Sequence, residues 1–169
     1  MGGYVIVGQA LAQFLEKQPE KSLNKAKEVV IKGKTWYVCD IVGEQVFGQA
    51  LVSYFESAVL VLQKMTSLEA QEVRRSIGVG VHFFAKRRPN DTEKMKRLLS
   101  MLSALVEDRR VFVVKGVGWG LKTIGKHQPE LIVEFMQDTL KTKRVSKLLL
   151  RKATTYLDAK TEHKLVDLW

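Results

Sequence analysis

One cysteine, three prolines and three histidines are all that a chain of 169 residues contains of those types. A lone Cys39 cannot form an internal disulfide, which excludes a disulfide scaffold and suits a reducing compartment. His82, His127 and His163 have no Cys or His partner at ligand spacing, so no zinc site is indicated and no metal is expected. No apolar run approaches the ~20 residues of a membrane-spanning helix. The start lacks a basic stretch leading into a long apolar core, so a soluble intracellular protein without a membrane role is expected. Alternating runs of β-branched residues are nearly missing as well. Pro19, Pro89 and Pro129 each fall between segments of helical apolar periodicity, and the pattern reads as all-α. The spacing predicts helices over 4–18, 20–32, 36–56, 57–65, 68–87, 91–106, 110–127, 130–140 and 145–158.

What is plentiful is positive charge. Lys and Arg number 28 against 18 Asp and Glu, a net charge of +10 with a pI near 9.7. Such a balance favours polyanions, nucleic acid before anionic membranes or acidic proteins. Hydrophobic residues make up 46% of the chain, enough for a real core. A single domain over 1–169, monomeric, is expected.

The chain repeats itself. Gly78, Gly80, Lys86 and Pro89 superpose without a gap on Gly118, Gly120, Lys126 and Pro129, forty residues later. An opening copy, Val7-Gly8-Gln9-Ala10-Leu11 followed by Gln18-Pro19-Glu20, matches Val117 to Leu121 and Gln128-Pro129-Glu130. Helical repeats of about 40 residues mark an α–α superhelix, a HEAT-like solenoid. Glycine inside a helix costs about 1 kcal/mol against alanine, so its repeated use predicts close approach between helices. The apolar start, without a polar capping repeat, suggests that the chain begins inside such an array. The basic helix from Ser146 to Leu157 is the candidate cap at the other end.

Residues 35–51 carry the chemistry. Val38, Ile41, Val42 and Val46 form one helical stripe, and Trp36, Asp40 and Phe47 an adjacent one. A carboxylate beside an indole and shielded from water needs a nearby cation to stay ionised. Aligning Gly43 with Gly78 and Gly118 places Asp40, Arg75 and Lys115 at one position in three repeats, with Trp119 one turn after Lys115. That row lies on one face of a solenoid. Taken alone, Asp40 is more simply explained by an ion pair with Arg75 that orders the repeats and the tryptophans by core packing, while Arg75 and Lys115 are equally explained as solvated charges. Lys141, Lys143, Arg144, Lys147, Arg151 and Lys152 read either as a solvated helix face or as an edge that tracks phosphates.

Thr35-Trp36-Tyr37-Val38-Cys39-Asp40, Val73-Arg74-Arg75-Ser76-Ile77 and Val114-Lys115-Gly116-Val117-Gly118-Trp119-Gly120-Leu121-Lys122 occur in this order, with His127-Gln128-Pro129-Glu130 after the third. Together they resemble the DNA alkylation repair family of the AlkD type, over about residues 4 to 157. The resemblance implies a HEAT-like solenoid that cradles duplex DNA in a basic groove. It also implies a DNA glycosylase excising positively charged N3- and N7-alkylpurines, with no metal or other cofactor. Asp40 resembles the catalytic carboxylate and Trp36 the indole beside it. Arg75 looks like the arginine near the lesion's backbone, and Trp119 like a second aromatic wall. The expected DNA-facing residues are Arg74, Lys115, Lys122, Lys143, Arg144, Lys147, Arg151 and Lys152. The implied location is cytoplasmic, in a bacterial cytosol or nucleoid. Full-length members of that family are expected to carry further helices before the point where this sequence starts, and often larger residues where Gly78, Gly80 and Gly120 stand here. Two rival readings remain: a DNA-binding solenoid without catalysis, and a scaffold for an acidic protein partner.

Overall fold

The computed structural model describes residues 2–169, and no strand occurs among them. The chain runs α1 (Gly2–Phe14), α2 (Pro19–Gly33), α3 (Trp36–Val42), a π-helical turn (Gly43–Gly48), α4 (Gln49–Ser53), α5 (Phe55–Met65), α6 (Gln71–Arg87) and α7 (Thr92–Leu102). A 3₁₀ turn (Ser103–Leu105), α8 (Val111–His127), α9 (Pro129–Thr142), α10 (Lys147–Ala153) and α11 (Ala159–Asp167) complete it. Pro19 and Pro129 open α2 and α9, where a missing N–H costs nothing. The side chains of Asp91, Ser146 and Asp158 cap α7, α10 and α11.

The helices form two layers. The inner layer runs α1, then α3 with the π turn and α4, then α6, α8 and α10; the outer layer runs α2, α5, α7, α9 and α11. This is an α–α superhelix, as the repeat predicted. α6 and α8 have 17 residues each and start forty positions apart, at Gln71 and Val111. One hydrophobic cluster runs from Leu15 to Leu165 between the layers.

The glycines do what their spacing predicts. A Cβ on Gly8 would strike Gln45, one on Gly43 would meet Val79 at 2.8 Å, one on Gly78 would strike the backbone of Gly116 and Val117, and one on Gly118 the stem of Lys152. Each of these four therefore abuts the next inner helix. On Gly80 and Gly120 an added Cβ would instead meet the helix before, at 2.9 Å from Phe47 Cβ and 2.8 Å from the Gly78 carbonyl. The frame that equates Gly43 with Gly78 and Gly118 holds in space.

Two elements depart from expectation. The predicted helix 36–56 contains the π turn and stops at Tyr54, whose backbone breaks off at φ −136° and ψ 48°. A π turn widens the hydrogen-bonded ring by one residue, so positions beyond Gly43 no longer follow the 3.6 period. Phe47, expected beside Asp40, is instead fully buried against Gly80. The predicted helix 145–158 ends at Ala153, and α11 follows it behind the Asp158 cap.

A candidate nucleic-acid cleft on the inner layer

Four inner helices contribute to one open cleft of about 610 Å³. α3 supplies Trp36 and Asp40, α6 supplies Arg75, α8 supplies Val111, Phe112, Lys115, Trp119 and Lys122, and α10 supplies Lys152. On α8, residues 111, 115, 119 and 122 recur every three or four positions, so one helical face lines the cleft. Close packing at the glycines brings neighbouring rows within reach of each other.

Asp40 and Arg75 form a two-pronged pair. Arg75 Nε donates to Asp40 Oδ1 at 2.9 Å and Nη2 to Oδ2 at 3.0 Å. Nη1 donates to the Phe112 carbonyl at 3.1 Å, and the guanidinium carbon lies 4.9 Å from the Phe112 ring centre. Arg75 is thus fixed at 7% exposure, while the Asp40 side chain keeps 18%. Parallel charge-assisted hydrogen bonds of this kind are strong and geometrically specific. Both readings of Asp40 meet here, since the ion pair exists and its carboxylate lines the cleft.

Around that pair the charge is positive. Lys115, Lys122 and Lys152 line the cleft, and among the described residues none of the three forms an ion pair with a carboxylate. The Lys152 stem lies over Gly118, and burial and then the charges of Lys122, Lys115 and Arg75 lower its pKa. Lys122 and Lys126 both approach the exposed Tyr156 ring, at 5.2 and 5.8 Å. One carboxylate among four cations leaves a cleft suited to polyanion backbones.

The two indoles are held differently. Trp36 is 59% exposed, with its edge on Tyr37, and core packing does not describe it. Trp119 is half-buried and stacked on His82, with ring centres 4.0 Å apart.

Residues 4–157 match the sequence model of a family described as DNA alkylation repair enzyme. The chain belongs to the DNA alkylation repair enzyme family. Searches among curated proteins and among solved structures found no match. Family membership supports a role in alkylation repair, with DNA as the substrate it suggests. Among the described residues, no helix is long and apolar enough to cross a membrane, and no group of three or more His, Cys, Asp or Glu could hold a metal ion.

For this family member, the cleft gathers part of the residue set read from sequence. Trp36, Asp40, Arg75, Lys115, Trp119, Lys122 and Lys152 line it together. Arg74 does not: it donates to Asp108 at 2.9 Å, Glu69 at 2.9 Å and the Leu68 carbonyl at 2.8 Å, and its fork is spent on protein. Lys143 donates to the Ser103 carbonyl at 2.7 Å and lines a groove between α7 and α9. Arg144, Lys147 and Arg151 are exposed and outside the cleft lining. Sequence reasoning missed Val111, Phe112, His82 and Thr123. His82 carried a signal, being the one polar residue in the run Gly78 to Ala85. Phe112 carried none, because its role depends on a backbone carbonyl.

Proposed function

We propose that this protein hydrolyses the N-glycosidic bond of positively charged N3- and N7-alkylpurines in duplex DNA, with Asp40 stabilising the oxocarbenium-like transition state. The observation that carries this reading is the meeting of one partly shielded carboxylate, its arginine and two indoles in an open, cation-rich cleft.

An alkylated purine with a formal positive charge is a ready leaving group. It departs with the electron pair of the C1′–N bond and becomes neutral. Water then adds to C1′, loses a proton and leaves an abasic sugar. The enzyme's task is to stabilise positive charge growing on the sugar, and a fixed carboxylate does so without reorganisation. Two unit charges about 4 Å apart attract by roughly 4 kcal/mol at an effective dielectric near 20. The Arg75 fork aims the Asp40 carboxylate while offsetting part of its charge. Trp36 and Trp119 hold a cationic nucleotide by cation–π contact and packing. Lys115, Lys122 and Lys152 take phosphates.

The test is incubation with methylated duplex DNA, scored for both free base and abasic sites. Wild-type protein releases N7- or N3-alkylpurine, and Asp40→Asn does not while binding DNA nearly as well. Equal activity in the two would remove Asp40 from the mechanism. A second reading has its own support: Arg75 occupies both Asp40 oxygens, which suits a cleft that binds DNA without cutting it. Salt-dependent binding without base release in the same assay would decide for it.

A further inference from the structure

The indole of Trp119 is one wall of the cleft, and His82 stands directly behind it. The two rings are stacked with planes 23° apart. Such a stack uses one face of the indole and leaves the remaining surface to the cleft that Trp119 lines. His82 Nδ1 lies 2.7 Å from Thr123 Oγ1, and the Thr123 hydroxyl donates to the Trp119 carbonyl at 2.9 Å. With the hydroxyl proton so directed, Nδ1 must carry the ring proton and donate it to Thr123. The imidazole therefore grips Trp119 twice, once through its ring and once through its backbone.

We propose that His82 is a positioning residue for the cleft, holding Trp119 as a neutral stacking partner so that the open face of the indole meets a cationic nucleobase. Neutrality matters because a protonated imidazole would itself be a cation over the same ring, competing with the substrate for its electron-rich face. The surroundings enforce it. Burial, and then Lys86 one turn along α6, lower the His82 pKa to about 4. Glu44, presented by the π turn, faces Nε2 at 3.9 Å, too far to hydrogen-bond, and burial raises its own pKa. Thr123 and Trp119 contact the ring from α8, and neither bears charge. The order Glu44, His82, Thr123 has the look of an acid–base–nucleophile relay. Thr123 is not a nucleophile here, because it is 7% exposed and its proton is committed to a carbonyl.

The kinetic half of the test rests on the glycosylase reading; the spectroscopic half does not. In a Trp36→Phe, Trp169→Phe background, Trp119 is the sole indole, and acrylamide quenching with emission anisotropy reports its order. His82→Ala should make Trp119 more accessible to quencher and less anisotropic. His82→Phe, which keeps a neutral stacked ring but not the bond to Thr123, should restore most of the lost order, and Thr123→Val should likewise fall between wild type and His82→Ala. With otherwise wild-type protein, His82→Ala should slow single-turnover base release about tenfold, since small misplacements near the reacting centre are costly. Duplex affinity should stay within about twofold, because Lys115, Lys122 and Lys152 carry it. Unchanged Trp119 quenching in His82→Ala, or failure of His82→Phe to rescue, overturns the proposal. Should His82→Ala not fold, Thr123→Val decides, and an indole as ordered as in wild type would count against the tether. If wild type releases no base, the glycosylase reading fails and the quenching results still judge His82.

Discussion

Arg74 and Arg75 are neighbours on α6, and each grips an aspartate in the opposite direction. Arg74 reaches Asp108 in the α7–α8 connection, and Arg75 reaches Asp40 in the cleft. Asp108 is saturated. It accepts from Arg74 Nη1, from the Arg110 backbone N–H and from two nitrogens of the Arg110 side chain, and its side chain is only 4% exposed. A carboxylate has about four lone-pair sites, so nothing is left for a ligand. Asp40 accepts from one fork alone and opens on the cleft. The same two residue types thus make a clip in one place and a poised charge in the other. What separates them is unused acceptor capacity beside an open surface.

The contrast can be broken by substitution. The largest effect is expected for Asp40→Asn, with single-turnover base release falling about 10²- to 10³-fold. A fall of less than tenfold would make the two pairs alike. Asp108→Ala should do the reverse, leaving release unchanged well below the unfolding temperature while costing about 2–4 kcal/mol in urea denaturation. Arg110 is partly solvated, which keeps the cost below that of a fully buried pair.

Acid sharpens the comparison further. Burial would raise the Asp108 carboxyl, but hydrogen bonds from Arg110 and Arg74 outweigh it and hold the pKa at about 2. An unfolded aspartate titrates near ~3.9. The stability Asp108 confers is therefore complete above that value and fades as pH falls towards 2. The gap in urea midpoint between wild type and Asp108→Asn should be flat from pH 7 to ~4 and close below it. His82 works in an earlier window. Its folded pKa of about 4 lies below the ~6.5 of a free imidazole, so the unfolded chain binds the extra proton first. Stability should decline as pH drops from ~6.5 towards 4, and His82→Phe should remove that slope. The smallest effect belongs to single lysines. Lys115→Ala or Lys122→Ala should each lower the salt dependence of duplex binding by about 0.9 in log–log slope. Arg74→Ala, lying outside the cleft, should not.

The glycine frame was readable because a missing side chain leaves the same mark in sequence and in space. Aligning Gly43, Gly78 and Gly118 is enough to put Asp40, Arg75 and Lys115 in one row, and all three line the cleft. The π turn was not readable, since one extra residue in a hydrogen-bonded ring has no residue signature, and Phe47 was misplaced by it. Arg74 lies outside the cleft for another reason: adjacent arginines look alike in sequence, and only the position of Asp108 separates them. α11 escaped because its nine residues are short for a periodic signal, although Asp158 offered a cap.

Spacing is set differently in the two layers, and that has a geometric consequence. Inner helices approach through backbone at Gly78 and Gly120, whereas the outer helices α5, α7 and α9 contain no glycine and keep a side chain at every position. A wall whose inner course is laid with thinner stones must bow towards that course. The hollow on that side is thus drawn by hydrogen atoms standing where methyl groups would have straightened it.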